Sequence, residues 1–139
     1  MNTNLSEIAE VIKKGKKILI TAHVLPDGDS IGSVVGLGLA LASLGKDVHL
    51  VMQDEVPEIY RFLKGTEKII FPQELSSQPE LVVFLDCGEI ARAGDNWMYP
   101  FIQDKPVINI DHHISNRYFG TFNFVDAKAA ATAEIIYSL

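Results

Sequence analysis

The sequence predicts an α/β fold: a mostly parallel sheet with helices on both faces. Three observations carry that prediction. The runs Ile18-Leu19-Ile20, Leu81-Val82-Val83-Phe84-Leu85 and Val107-Ile108-Asn109-Ile110 have strand length and little polar alternation, as in strands buried on both sides. Segments of helical period separate them, and such alternation gives parallel strands joined by right-handed crossovers. Each run also leads into a turn rich in acidic or imidazole groups, and the carboxyl ends of parallel strands are where open sheets gather ligands.

The elements follow in order. Residues 6–14 place Ile8, Val11 and Ile12 on one side and charges on the other, an amphipathic helix that stops at Gly15. The first strand, 18–20, opens into Thr21-Ala22-His23-Val24-Leu25-Pro26-Asp27-Gly28-Asp29-Ser30. Residues 31–44 form a helix that is apolar nearly all round and therefore well buried. Gly32, Gly36 and Ala40 make a smooth stripe on it, and glycine weakens a helix by about 1 kcal/mol relative to alanine, so the stripe is expected to pack closely on the sheet. Residues 48–52 read as a second strand, 59–63 as a short helix ended by Gly65, and 69–71 as a third strand closed by Pro72. The run 81–85 delivers Asp86. Residues 89–93 form a turn of helix carrying Arg92, expected in a structural ion pair, and 94–105 are irregular, with Trp97, Tyr99 and Phe101 covering a core edge. The strand 107–110 delivers Asp111-His112-His113; Phe122 and Phe124 then lead to Asp126, and 129–139 is helical.

Composition limits the function. The 139 residues suit one domain, and a 47% hydrophobic content supplies a core. A net charge of −6 argues against binding nucleic acid through a broad basic face, but bound cations would reverse the field locally and admit a phosphorylated substrate. A single cysteine, Cys87, excludes a disulfide framework. The N-terminus has no basic region followed by an apolar block, and the longest apolar stretch is too short for a bilayer. A cytoplasmic protein with no membrane partner is expected.

The candidate site is the set of strand ends. His23, Asp27 and Asp29 converge at a turn bent by Pro26 and Gly28. Taken alone, that stretch fits equally a metal site or a strand-to-helix turn, since turns recruit Asp, Pro and Gly. Asp86 and Asp111-His112-His113 join the same sheet edge, which turns do not explain. Close carboxylates would repel one another and raise each other's pKa values, and two divalent cations remove the problem. Mixed His/Asp ligation suits Mn(II), Fe(II), Co(II) or Zn(II) better than Ca(II).

His23-x-x-Pro26-Asp27-x-Asp29, the strand-terminal Asp86 and Asp111-His112-His113 resemble the first three motifs of the DHH phosphoesterase family, and within it the oligoribonuclease/pAp phosphatases. The glycine-rich helix, the Asp86…Arg92 spacing and the Ala-Thr-Ala-Glu-Ile-Ile-Tyr ending extend the resemblance over nearly the whole chain. It implies two divalent cations, Mn2+ first, with Mg2+ or Co2+ as alternatives. One would take His23, Asp27 and Asp86, the other Asp29, the bridging Asp86 and His112. His113 would face the scissile phosphate and Asp111 would orient a histidine. The substrate would be a short oligoribonucleotide or a 3′-phosphorylated nucleotide, with cyclic-dinucleotide or RecJ-like single-strand hydrolysis as alternatives. A non-catalytic nucleotide- or metal-binding module is the competing class. The family's fourth motif, another Asp, and its C-terminal substrate-binding domain have no counterpart in residues 1–139. The domain is therefore expected to be incomplete, with a weak second metal site, little activity and an uncovered terminal helix that invites homodimer pairing.

Overall fold

The computed structural model describes residues 1–94 and 96–139; Asp95, within the segment expected to be irregular, lies outside the described residues. The chain runs α1 (Leu5–Lys14), β1 (Lys17–Thr21), α2 (Gly28–Ser43), β2 (Asp47–Val51), β3 (Ile69–Ile70), β4 (Leu81–Leu85), α3 (Tyr99–Ile102), β5 (Val107–Asp111), β6 (Phe122–Val125) and α4 (Thr132–Ser138). The six strands form one sheet in the order β3-β2-β1-β4-β5-β6, with every pairing parallel.

The sheet grows outward from β1, toward β2 on one side and β4 on the other. At the carboxyl ends of β1 and β4 the connections diverge to opposite sides and leave a crevice, the usual ligand position in open α/β sheets. Ile18 and Ile20 look toward the face covered by α1, α2 and α4, where Ile8, Ile31, Val34 and Ile135 complete the main core. Leu19, Val82 and Phe84 face the other way, into a smaller core closed by α3 and a 3-10 turn at Ile90–Ala93. Helices thus cover both faces, the second one thinly. Trp97 and Phe101 do cap that second core, but Tyr99 stands half-exposed.

Four expectations need correction. The Gly32/Gly36/Ala40 stripe does not touch the sheet: a β-carbon added at Gly32 or Gly36 would meet nothing within 4 Å. These residues line an apolar groove of about 520 Å³ between α1, α2 and α4. Gly38 makes the close approach instead, since a β-carbon there would lie 2.5 Å from Leu50 Cδ2 on β2. Residues 59–63 do not form a helix beyond a 3-10 turn at Glu58–Tyr60, and Ile59 and Phe62 are exposed, so no apolar face drives a longer helix. A sixth strand, β6, occupies Phe122–Val125, where Asn123 and Val125 are buried beside β5. Finally, Arg92 forms no ion pair among the described residues. No described helix is long and apolar enough to cross a membrane.

Candidate active site

Three strand ends supply the site. β1 leads through Ala22 to His23, which is 7% exposed. Asp27 then caps α2: its Oδ1 accepts the backbone N–H of Ser30 at 3.0 Å, while Ser30 Oγ sits 3.0 Å from the Asp27 N–H. Asp27 thus caps the helix, as a strand-to-helix turn requires, and its Oδ1 also lies 3.8 Å from His23 Nε2. Asp86 follows β4 directly with φ +57. This left-handed backbone costs about 1–2 kcal/mol in a residue with a β-carbon, and it is kept here at the centre of a polar cluster. β5 ends on Asp111, ahead of His112 and His113.

Asp86 is the hub. Its side chain is 1% exposed and is approached by His23 Nε2 at 3.3 Å, His113 Nδ1 at 3.5 Å and His112 Nε2 at 3.7 Å. Thr132, at the start of α4, donates its hydroxyl to Asp86 Oδ1 at 2.9 Å. Burial pushes the Asp86 carboxyl up; hydrogen bonds from His23 and Thr132 and the charge of His113 outweigh it and hold the group below the usual carboxylate range. The same contact with Asp86 lifts the His23 imidazole above its ordinary value, against burial and with help from the Val24 carbonyl.

Asp29 reaches across to α4, where its carboxylate accepts the N–H groups of Thr132 and Ala133, both at 2.8 Å. An acidic group at a helix N-terminus satisfies otherwise unpaired donors, and here it fixes α4 over the sheet edge. Asp29 Oδ2 also lies 3.5 Å from His112 Nε2. Asp111 is fully buried: Oδ1 accepts His113 Nδ1–H at 2.7 Å, and Oδ2 accepts Asn116 Nδ2–H at 2.7 Å.

The structure brings the expected residues together in two sets. Donor atoms of His23, Asp27 and Asp86 lie within 4.8 Å of one another, as do those of Asp86, His112 and His113. Asp86 belongs to both sets, while Asp29 touches the second only through His112. His23 and His112 each place Nδ1 against a backbone carbonyl, Val24 at 2.7 Å and Ala129 at 3.2 Å. A carbonyl only accepts, so Nδ1 carries a proton and Nε2 is the ring nitrogen that faces the carboxylates, donating to them when protonated and free to ligate a cation when not. That is the usual arrangement of a metal-ligating imidazole, and the mixed N/O donor set fits a first-row divalent cation.

Sequence reasoning missed Thr132, Asn116 and Asn109. The two N–H groups of Asn116 Nδ2 are shared among the Cys87 carbonyl, Asn109 Oδ1 and Asp111 Oδ2, all within 3.1 Å, and Asn109 donates to the same carbonyl, a buried amide network beneath the cluster. A polar Asn109 inside an apolar strand was the available signal, because a buried amide must find partners. For Thr132, the signal was a hydroxyl at the start of a helical period.

A family model described as the DHH family, N-terminal domain, matches residues 17–139. The chain is 40% identical over 133 residues to the bifunctional oligoribonuclease and PAP phosphatase NrnA of Thermus thermophilus, covering 95% of this chain and 39% of that protein. Against the protein of the same name from Mycoplasma pneumoniae it is 28% identical over 141 residues, covering 98% of this chain and 43% of the relative. It is 23% identical over 147 residues to the cyclic-di-AMP phosphodiesterase GdpP of Bacillus subtilis, covering 95% of this chain and 22% of that protein. An exopolyphosphatase-related protein from Bacteroides fragilis shares the fold, with a TM-score of 0.85 at 23% identity over 96% of this chain and 41% of that one. The chain spans about two-fifths of the length of the NrnA relatives it matches. With the match to residues 17–139 and the strand-end motifs on one sheet edge, the chain belongs to the DHH family, as its N-terminal domain.

Proposed function

We propose that the full-length protein, through this domain, holds two divalent cations, Mn2+ in first place, and hydrolyses a phosphoester at the end of a short oligoribonucleotide or of 3′-phosphoadenosine 5′-phosphate, the domain alone having little activity. One cation would be held by His23, Asp27 and Asp86, the other by Asp29, Asp86 and His112. The observation that carries this reading is the buried Asp86 carboxylate, shared between two sets of converging donors. Names of relatives supply the substrate class: oligoribonuclease and PAP phosphatase in the more similar ones.

When bound, such cations supply positive charge against the phosphate oxygens and lower the pKa of water. The chain's own residues do the rest. Asp111 fixes His113 through Nδ1, so Nε2 is left to the cleft that His113 lines. From there Nε2 can hydrogen-bond a phosphoryl oxygen and protonate the leaving oxygen as the P–O bond breaks and water adds to phosphorus. The buried Asp111 stabilises the imidazolium required for that step, and the Asn116 amide keeps Asp111 from turning.

The test, on the full-length protein, is release of inorganic phosphate from 3′-phosphoadenosine 5′-phosphate, and of mononucleotides from a short oligoribonucleotide, with Mn2+ and with chelator. Metal-dependent turnover that disappears in Asp86→Asn supports the reading. Turnover that survives chelation or that substitution overturns it. Nucleotide binding without turnover in a full-length protein supports a non-catalytic module instead.

A further inference from the structure

An open sheet has two edges, and an edge strand offers its free backbone groups to any extended segment that approaches. At one edge β3 is only Ile69–Ile70, and Pro72 follows closely, so little can pair there. At the other edge β6 lacks that protection in its own sequence. Thr121-Phe122-Asn123-Phe124-Val125 holds no charge and no proline, and its aromatic and β-branched residues favour extended pairing.

Alternate residues of a strand turn their backbone groups to opposite sides. The Asp126 N–H donates to the Asp111 carbonyl on β5, so Phe122 and Phe124 share that side and Asn123 and Val125 face outward. The outward groups are all engaged, by the start of the chain. The Thr3 N–H donates to the Asn123 carbonyl at 2.6 Å, and the Asn123 N–H donates to Thr3 Oγ1 at 3.1 Å. Asn2 Nδ2 donates to the Val125 carbonyl at 2.8 Å, and the Val125 N–H donates to Asn2 Oδ1 at 2.9 Å. An asparagine amide carries the donor and acceptor of a peptide unit, so the Asn2 side chain stands in for one residue of a further strand. The imitation stops there: Asn4 Oδ1 accepts the Glu7 N–H at 2.8 Å and begins α1, whose Ile8 is buried in the main core.

We propose that Asn2 and Thr3 form a clasp over a docking edge, and that the occupant it keeps out is the β6 edge of a second copy of this chain. The edge is complementary to itself. Two β6 strands set antiparallel across a two-fold axis would exchange the N–H and C=O pairs that Asn2 and Thr3 now take, with no like charges opposed. With the clasp in place the sheet ends at β6; with it released the sheet continues into the partner copy. Met1 is fully exposed and α1 anchors the clasp from its other side, so release is a local opening that breaks only the contacts of Asn2 and Thr3.

The experiment compares the protein with Asn2→Ala, Thr3→Val and the double variant, by NMR hydrogen exchange and by sedimentation, each over a concentration series. At low concentration Asn2→Ala should speed exchange of the Val125 amide, and Thr3→Val that of the Asn123 amide, by about tenfold each, as expected for one lost hydrogen bond. The amides of Ile20 and Val83, in the middle of the sheet, should keep their rates. At high concentration the double variant should double in mass relative to the wild type and regain slow exchange at both edge amides. Should the double variant not fold, mass and recovery are read from Asn2→Ala, which frees both outward groups of Val125. Pairing through the terminal helix would raise the mass without that recovery, and overturns the proposed edge. Fast exchange at every concentration with no gain in mass also overturns it. Unchanged exchange in the single variants overturns the clasp, and so does faster exchange at Ile20 and Val83, which would make these contacts part of the global fold.

Discussion

Replacing Asp86 by Asn changes one atom's chemistry at the centre of the site and keeps the side chain's shape. Asp86 is the one member common to both donor sets, so its charge would serve either cation of the proposed pair. A ligand that binds only the folded state stabilises it by RT ln(1 + [L]/Kd), about 2.7 kcal/mol at a hundred times Kd. For 139 residues at about 2.1 cal/mol/K each, the unfolding entropy is about 0.3 kcal/mol/K near the midpoint. Mn2+ at that level should therefore raise Tm by about 9 °C. If Asp86→Asn weakens binding about a hundredfold, the same Mn2+ gives about 0.4 kcal/mol and a shift near 1 °C. Without metal, the variant should melt a few degrees lower, because Thr132 and His23 lose a charged acceptor worth about 1 kcal/mol. Differential scanning fluorimetry with and without Mn2+, repeated with Mg2+, reads both quantities. Equal Mn2+ shifts in the two proteins, or none in either at saturating metal, would refute the shared-carboxylate reasoning.

Other expectations follow from particular contacts. Gly36→Ala should stabilise the domain by about 0.5–1 kcal/mol, since its β-carbon meets open space on a helix; Gly38→Ala should lose that gain to about 1–3 kcal/mol of overpacking against Leu50, and urea unfolding of the pair gives the difference directly. Thr132→Val removes a buried hydroxyl from a charged partner and should cost about 1.5–3 kcal/mol in the metal-free protein; an unchanged urea midpoint would count against the Asp86 contact. Burial, reinforced by the charges of Asp86 and Asp111, drives the Cys87 thiol well above its usual range, so a thiol reagent should label it only in denaturant, and rapid labelling of the native protein would contradict that placement.

Much of the molecule is legible in the chain alone because its signals are local. Unbroken apolar runs specify buried parallel strands, and Asp, His, Pro and Gly at their ends specify a chemical edge. The groups expected to meet, His23, Asp27, Asp29, Asp86, Asp111, His112 and His113, all lie at that edge. What the chain alone left open depends on partners distant in sequence. β6 is too short and too mixed to announce itself and is defined by its register with β5. A glycine stripe states that something small is needed but not which neighbour approaches, and here the sheet meets Gly38 while Gly32 and Gly36 line a groove.

Sequence by itself determined the α/β class and the donor types, since strand burial and ligand chemistry are properties of residues and their order. Only the tertiary structure decided that Asp86 sits between two donor sets, that Asp29 caps α4, and that Arg92 lines the cleft. Those facts are distances between groups up to about a hundred residues apart, such as Asp29 and Thr132 or Ala133, and a distance exists only once packing has brought them together.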